Sequence, residues 1–294
     1  MNVVSYEQPL QLLSLFLALI EFILALYVLA LNVWHMANRH VSGLVLLFSL
    51  NSLGVGLMAA ASNAAQATVP SYLLAGTLPT LQVMSLITTV NLLKPAWFKA
   101  QWRWIWWILY GLILLPGILT FMDATLDIGL YYTGLDPATY QGGLAQLSHY
   151  VQGSLAPMLR PLLYVPTLPL LLFLLYVGLV DKAPTVLNRR LAWMLFLVHI
   201  IVSVIQVAFI DRPGWLLSTA VANIIVVSAY AYALLRQMLA GYHLQRGKLS
   251  LRLTAFVLVI AIPILVGVVA LFVSRSRTEL LGSVTRPLGT TNQS

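Results

Sequence analysis

The chain has 294 residues, of which 60% are apolar and only 8% charged, with a formal charge of +8 and no cysteine. A soluble domain is about 45–50% apolar and about 25% charged, so lipid must solvate much of this chain. The lack of cysteine excludes disulfides and thiol-based metal or redox chemistry. The basic residues stand between apolar runs, which sets them against anionic lipid and not against nucleic acid.

About 20 apolar residues are needed for a helix to cross a bilayer. Eight stretches qualify in chain order: 9–31, 42–62, 71–93, 104–121, 159–180, 191–210, 215–236 and 252–273. They predict an all-α polytopic transmembrane helix bundle with seven spans plus an eighth. On this reading residues 1–242 are expected to form the seven-span unit, 243–251 a basic cytoplasmic linker and 252–273 the eighth span, with 274–294 expected to begin a further extracellular domain. The first stretch does not read as a cleaved signal peptide, because no basic residue precedes it, Glu7 does, and it is too long for an h-region. The connection 122–158 is the one long loop, and it contains no Lys or Arg.

Lys and Arg gather on the cytoplasmic side of membrane proteins. Arg39 follows span one; Lys94, Lys99 and Arg103 follow span three; Lys182, Arg189 and Arg190 follow span five; Arg236, Arg246, Lys248 and Arg252 follow span seven. These alternate loops are basic; the opposite set holds only Arg160 and Arg212, up to span eight, together with Asp123, Asp127, Asp136 and Asp211. The pattern predicts a multi-pass protein of the bacterial inner membrane with its N-terminus outside. Trp97, Trp102, Trp104, Trp106 and Trp107 crowd the entrance of span four, and Tyr131, Tyr132 and Trp215 lie near the other interface. Trp and Tyr favour these depths because one end of the ring is apolar and the other hydrogen-bonds.

Charged groups at membrane depth are costly and often functional. Glu21 lies mid-span on a stripe with Ser14, Ala18 and Ala25, so it is predicted to face the bundle. Gln82, Ser85 and Thr89 share a face of span three, and His199, Ser203 and Gln206 a face of span six. Thr219, Asn223 and Tyr230 mark span seven, and Asn51 and Ser52 lie in span two. Such stripes line a cavity for a small ligand or hydrogen-bond helix to helix, and the sequence leaves both open. Glu21, Gln82, His199, Gln206 and Asn223 are the candidate ligand-binding set, and Asp123, Asp127, Tyr132 and Asp136 are the candidates on the outer loop, beneath which any pocket is expected to open. Ser52, Gly56 and Ala60 repeat at the small-residue spacing that lets backbones approach. Pro79, Pro116, Pro166, Pro169 and Pro263 fall within spans, and the Pro166–Pro169 pair predicts a bend at the start of span five.

The chain carries no phosphate-binding Gly-rich loop, no Gly-x-Ser-x-Gly and no His-Glu-x-x-His, so no catalytic residue and no cofactor is predicted. A metal site is not predicted either, since no His-x-x-x-His or Glu-x-x-His pair occurs and Asp123 and Asp127 have no third ligand. Span seven has no Lys for a retinal Schiff base.

The run Asp127-Ile-Gly-Leu-Tyr-Tyr-Thr-Gly-Leu-Asp-Pro-Ala-Thr-Tyr140, set between spans four and five, resembles the equivalent loop of multi-span sensor proteins of Chloroflexota-type bacteria. The seven-span layout resembles the N-terminal sensor region of bacterial histidine kinases. Leu251-Arg-Leu-Thr-Ala, the span with Pro263, and Ser274-Arg-Ser-Arg-Thr-Glu-Leu-Leu281 resemble the first membrane helix of a Cache-containing receptor. The resemblance implies the input module of a longer two-component receptor, acting in the bilayer as a homodimer on an unknown small ligand. No Cache, HAMP or ATP-binding segment is present to carry the rest. A small-solute transporter or channel component is the alternative, and a membrane enzyme or assembly factor a third; no similarity between the halves favours a transporter.

Overall fold

The computed structural model describes residues 7–98, 103–136, 150–181, 185–209 and 215–241. The linker 243–251, the eighth span 252–273, the segment 274–294, Tyr140 with most of the long loop, and Trp102 lie outside these residues.

The described chain is an all-α bundle with one small hairpin at one end. Helices α1 (Glu7–Leu31), α2 (Met36–Ala60), α3 (Ala64–Leu93) and α4 (Arg103–Leu126) follow one another, each packed on the next. A hairpin of β1 (Tyr132–Leu135) and β2 (Tyr150–Gln152) comes next, followed by a single turn α5 (Ala156–Leu159) and a short 3-10 turn Arg160–Leu163. Then come α6 (Thr167–Leu175), continued as a π-turn Tyr176–Val180, α7 (Val186–Phe209) and α8 (Trp215–Gly241). The pair α7–α8 closes on the meander through α2 and α3. Among the described residues six helices are long and apolar enough to cross a membrane: α1 to α4, α7 and α8. Helix α3 is the most enclosed of them, with neighbours in α2, α4, α6, α7 and α8. Exposed Leu12, Leu19 and Phe22 on α1, Trp104, Leu114 and Phe121 on α4, and Val204 and Val207 on α7 form the apolar outer surface that lipid covers.

Local chemistry sets the boundaries. Helix α3 begins seven residues before the expected 71 because Asn63 caps it: its side-chain oxygen accepts from the Gln66 amide at 3.0 Å. The Gln66 side chain in turn accepts from the Ser62 amide at 3.0 Å and hydroxyl at 2.9 Å. Pro79 inside α3 lacks the N–H that would occupy the Ala75 carbonyl, and that carbonyl instead accepts from the Tyr131 hydroxyl at 3.3 Å.

The span expected over 159–180 is not one continuous helix. The chain turns at 164–166, α6 starts after Pro166, and Pro169 sits in its first turn where a missing N–H costs nothing. Nine α-helical and five π-helical residues follow. At 1.5 Å per residue they span about 21 Å, short of a hydrocarbon core of about 30 Å.

Contacts distinguish the two ends of the bundle. At one end Lys94, just after α3, pairs with Asp181, just after the π-turn. Asn188 of α7 donates to the Leu93 carbonyl at 3.2 Å, and Gln237 of α8 donates to the Leu92 carbonyl. Arg39, Lys94, Arg189 and Arg236 belong to this basic end, as the grouping of alternate loops anticipates. At the other end Trp215 and Leu216 of α8 pack with Val55 and Met58 of α2 and Leu135 of the hairpin.

Candidate functional site

The predicted Glu21 stripe faces inward: Ser14, Ala18, Glu21 and Ala25 are all buried. The α1–α2 contact is close, for Ser42 and Ser49 donate to the carbonyls of Ala25 and Ala18 at 2.7 Å each. Gly56 makes this possible, since a Cβ there would stand 2.9 Å from Leu15 Cγ and 3.1 Å from its backbone nitrogen. The small-residue spacing through Gly56 therefore serves the α1–α2 seam.

Three polar clusters lie along α3 inside this frame. The first joins α1, α2, α3 and α8. Asn223 donates one amide N–H to Ser52 Oγ at 2.9 Å and the other to Asn51 Oδ1 at 3.0 Å, and Asn51 donates to Thr77 Oγ1 at 3.0 Å. The Ser52 hydroxyl faces the Glu21 carboxyl, yet neither carboxyl oxygen makes a well-formed hydrogen bond, and neither does Ser14 Oγ. Glu21 is 1% exposed and Asn223 2%.

The second cluster centres on Tyr230 of α8. Its hydroxyl donates to the Ser85 carbonyl at 3.1 Å, bonds Thr89 Oγ1 at 2.6 Å, and meets His199 Nε2 of α7 at 3.0 Å. The third lies at the basic end. His40 Nε2 bonds the Tyr110 hydroxyl of α4, and its Nδ1 meets the Asn91 amide. Nearby, the buried Asn38 amide has no hydrogen-bond partner. Asn38, Asn91 and Gln237 with Leu234 line a cavity of about 430 Å³ between the α1–α2 turn and the ends of α3 and α8.

The structure thus gathers Asn223 and Glu21 at one cluster and places His199 at another. Gln82 stands apart, half-buried, accepting from Thr167 Oγ1 of α6 at 3.1 Å. Gln206 is half-buried on α7 beyond His199. His40, Asn91, Tyr110 and Asn38 were not singled out from the sequence. His40 and Asn38 precede the apolar window that marked span two, so they read as loop, while the helix begins at Met36.

The loop candidates have other duties. The carboxylate of Asp123 accepts from the backbone N–H groups of Leu130 at 2.7 Å, Tyr131 at 2.7 Å and Tyr132 at 2.8 Å. Asp127 holds a left-handed backbone with φ 51°, one of the turn positions Asp tolerates, and Asp136 follows β1. The Tyr132 ring is 3% exposed and stacks edge-on against Tyr72 at 4.8 Å. Burial pushes the Tyr131 phenol up to about 12 and raises that of Tyr132 as well. The expected pocket beneath the loop involves 137–149, which lie outside the described residues; the cavity lined by Asn38 opens at the opposite end.

Compared with known proteins, the chain matches no family model, no curated protein and no solved structure. Chemistry must therefore speak for the site. The three clusters are built of amides, hydroxyls and imidazoles, with one carboxyl. An interhelical hydrogen bond in a bilayer is worth roughly 1 kcal/mol, so each of these links is strong enough to set helix register and weak enough to be exchanged.

Proposed function

We propose that this chain is the membrane-embedded input module of a bacterial signalling receptor, with seven crossings, its N-terminus outside and its basic end in the cytoplasm. One observation carries the reading. Helix α8, the last described helix, is held to α2 and α3 along its length by exchangeable polar links: Asn223 near one end, Tyr230 in the middle and Gln237 at the basic end. Such a helix shifts as a unit when the links are rearranged, and it delivers the shift to the basic end and the linker beyond. The Lys94–Asp181 pair supports seven crossings: the chain leaves that end through α4, reaches the Asp123 hairpin, and must return through α6 to pair with Lys94. The lysines and arginines of alternate loops support the orientation.

A transporter is the second reading, and the interrupted helix before α6 is what favours it, since broken helices mark many transport sites. Thiol access separates the two, because the chain has no native cysteine. Cysteines replacing Asn223 and Tyr230 in the full chain, reconstituted in vesicles, are exposed to a membrane-impermeant thiol reagent from either side. A receptor with a dry, latched core leaves both unreacted. Reaction of Asn223→Cys from both sides would establish alternating access and overturn the receptor reading.

A further inference from the structure

Glu21 is the one carboxyl among the described residues that is both buried inside the bundle and without a well-formed hydrogen bond. No charged partner among the described residues explains it. The described ionisable residues of α2 are Arg39 and His40, three turns or more from Ser52, and those of α8 are Tyr230, Tyr232 and Arg236, beyond Asn223 towards the basic end. On α1 itself they are Glu7 and Tyr27, both away from the stripe's middle. What faces the carboxyl is the Ser52 hydroxyl, and Ser52 is the residue on which Asn223 of α8 is anchored at 2.9 Å.

We propose that Glu21 is a proton-binding site, and that the Ser52 hydroxyl passes its protonation state to Asn223 and thereby to α8. The proposal rests on the receptor reading for its consequence but not for its chemistry. A hydroxyl has one proton to give and two lone pairs to accept with. With Glu21 ionised, Ser52 donates its proton to the carboxylate and accepts from Asn223, forming one directed chain, Asn223 to Ser52 to Glu21, strengthened by the charge at its end. When the carboxylate takes one proton from water it becomes a neutral acid with an O–H of its own. That O–H turns to Ser52 Oγ, competes there with the Asn223 amide, and leaves the Ser52 proton to find another acceptor. The chain loses its direction and α8 loses its charge-assisted anchor.

Ser14 shares this unpartnered state. Its hydroxyl is fully buried and without a partner, two helical turns before Glu21 on the same stripe, about 10 Å nearer the N-terminal end of α1.

The test uses the full chain in lipid nanodiscs. Infrared difference spectra between acid and alkaline samples report the carbonyl stretch of protonated carboxyl groups, and spin labels on cysteines replacing Val69 of α3 and Leu217 of α8, both exposed, report the position of α8. The parent is expected to show a titrating carbonyl band that disappears in Glu21→Gln, and a distance distribution that follows the same midpoint. Glu21→Gln should hold the distance at its low-pH value at every pH. Ser52→Ala should keep the titrating band but stop the distance from following it. A parent lacking any Glu21-dependent band overturns the proposal, as does a Ser52→Ala variant whose distance still tracks the band. A band that responds to sodium chloride but not to choline chloride at fixed pH would replace the proton by a cation, and overturns it too. If the distance ignores pH while the Asn223→Cys thiol stays unreactive from both sides, the proton proposal falls and the receptor reading stands.

Discussion

Two buried carboxyls divide this molecule. Asp123, 2% exposed, sits where α4 meets the hairpin and accepts three backbone N–H groups at 2.7–2.8 Å. Glu21, 1% exposed, sits in the α1–α2–α8 seam and has no well-formed hydrogen bond at all. Burial alone therefore says little about what a carboxyl does. Both carboxylate oxygens of Asp123 accept from the backbone and make it a structural anchor, whereas neither oxygen of Glu21 is so engaged. The sequence offers Asp123 only as an outer-loop candidate, with no third ligand to join it and Asp127, because the amides it holds are those of Leu130, Tyr131 and Tyr132 beyond the helix end.

The contrast is sharpest in stability. Asp123→Ala should leave three enclosed amide donors without an acceptor, at about 1–3 kcal/mol each, and so cost at least about 3 kcal/mol. The loss should be confined to the hairpin end, and hydrogen exchange at Leu130, Tyr131 and Tyr132 should rise while exchange in α8 stays unchanged. An unaltered exchange pattern would show that Asp123 is not the anchor. Gly153→Ala should open the same region by a different route, since its Cβ would stand 2.5 Å from the Gly129 oxygen and the Leu130 carbonyl carbon, both backbone atoms that cannot swing aside.

A titration reaches this end without mutation. Packing favours the neutral phenol of Tyr131, whose pKa rises from 10.0 to about 12, and raises that of Tyr132. Tyrosines released from the hairpin end ionise near 10, while the packed ones remain neutral, so the stabilisation is complete below pH 10.0 and is lost as the pH rises through about 12. Two pKa units correspond to about 2–3 kcal/mol. Phenolate absorbance with hydrogen exchange should show the hairpin end opening in that window, and Tyr131→Phe should move the opening to higher pH.

In the other region the frame should be more sensitive than the carboxyl. Gly56→Ala places a methyl against the Leu15 backbone and should force α1 off α2, at about 1–3 kcal/mol in a denaturation series in mixed micelles. Full tolerance of alanine would mean that α1 and α2 are further apart than the Ser42 and Ser49 bonds indicate.

How much of this was legible in sequence follows from which forces are local. Hydropathy located the apolar middles of all six long helices, and a one-helix periodicity placed Glu21 and Ser14 inside. Ends were less legible: the cap by Asn63 extends α3, and α2 begins at Met36, ahead of its apolar window, so that His40 lies within it and bonds Tyr110 and Asn91 on other helices. The pairing of Tyr132 with Gln152 in the hairpin, the interruption before α6, and the choice of Asp123 as anchor depend on residues distant in the chain, which no window of local sequence contains.

The smallest effect is expected at Glu21, and it bears most directly on the contrast. A carboxyl hydrogen-bonded firmly to a neighbouring helix would lose roughly 1 kcal/mol on replacement by leucine. Glu21 instead meets only the Ser52 hydroxyl, which Asn223 already engages, so most of its desolvation goes unreturned. Leucine has a similar size and carries no polar group to bury. Glu21→Leu should therefore change stability in micelles by less than about 0.5 kcal/mol, or raise it, against the loss of at least about 3 kcal/mol at Asp123. The difference should also depend on pH. Where the parent carboxyl is protonated, parent and variant should be nearly equal; as the pH rises and Glu21 ionises, the variant should gain on the parent, because only the parent then buries a charge. A constant gap across the range, or a loss as large as that at Asp123, would mean that Glu21 is held by partners as firmly as Asp123 and has no capacity left for a proton.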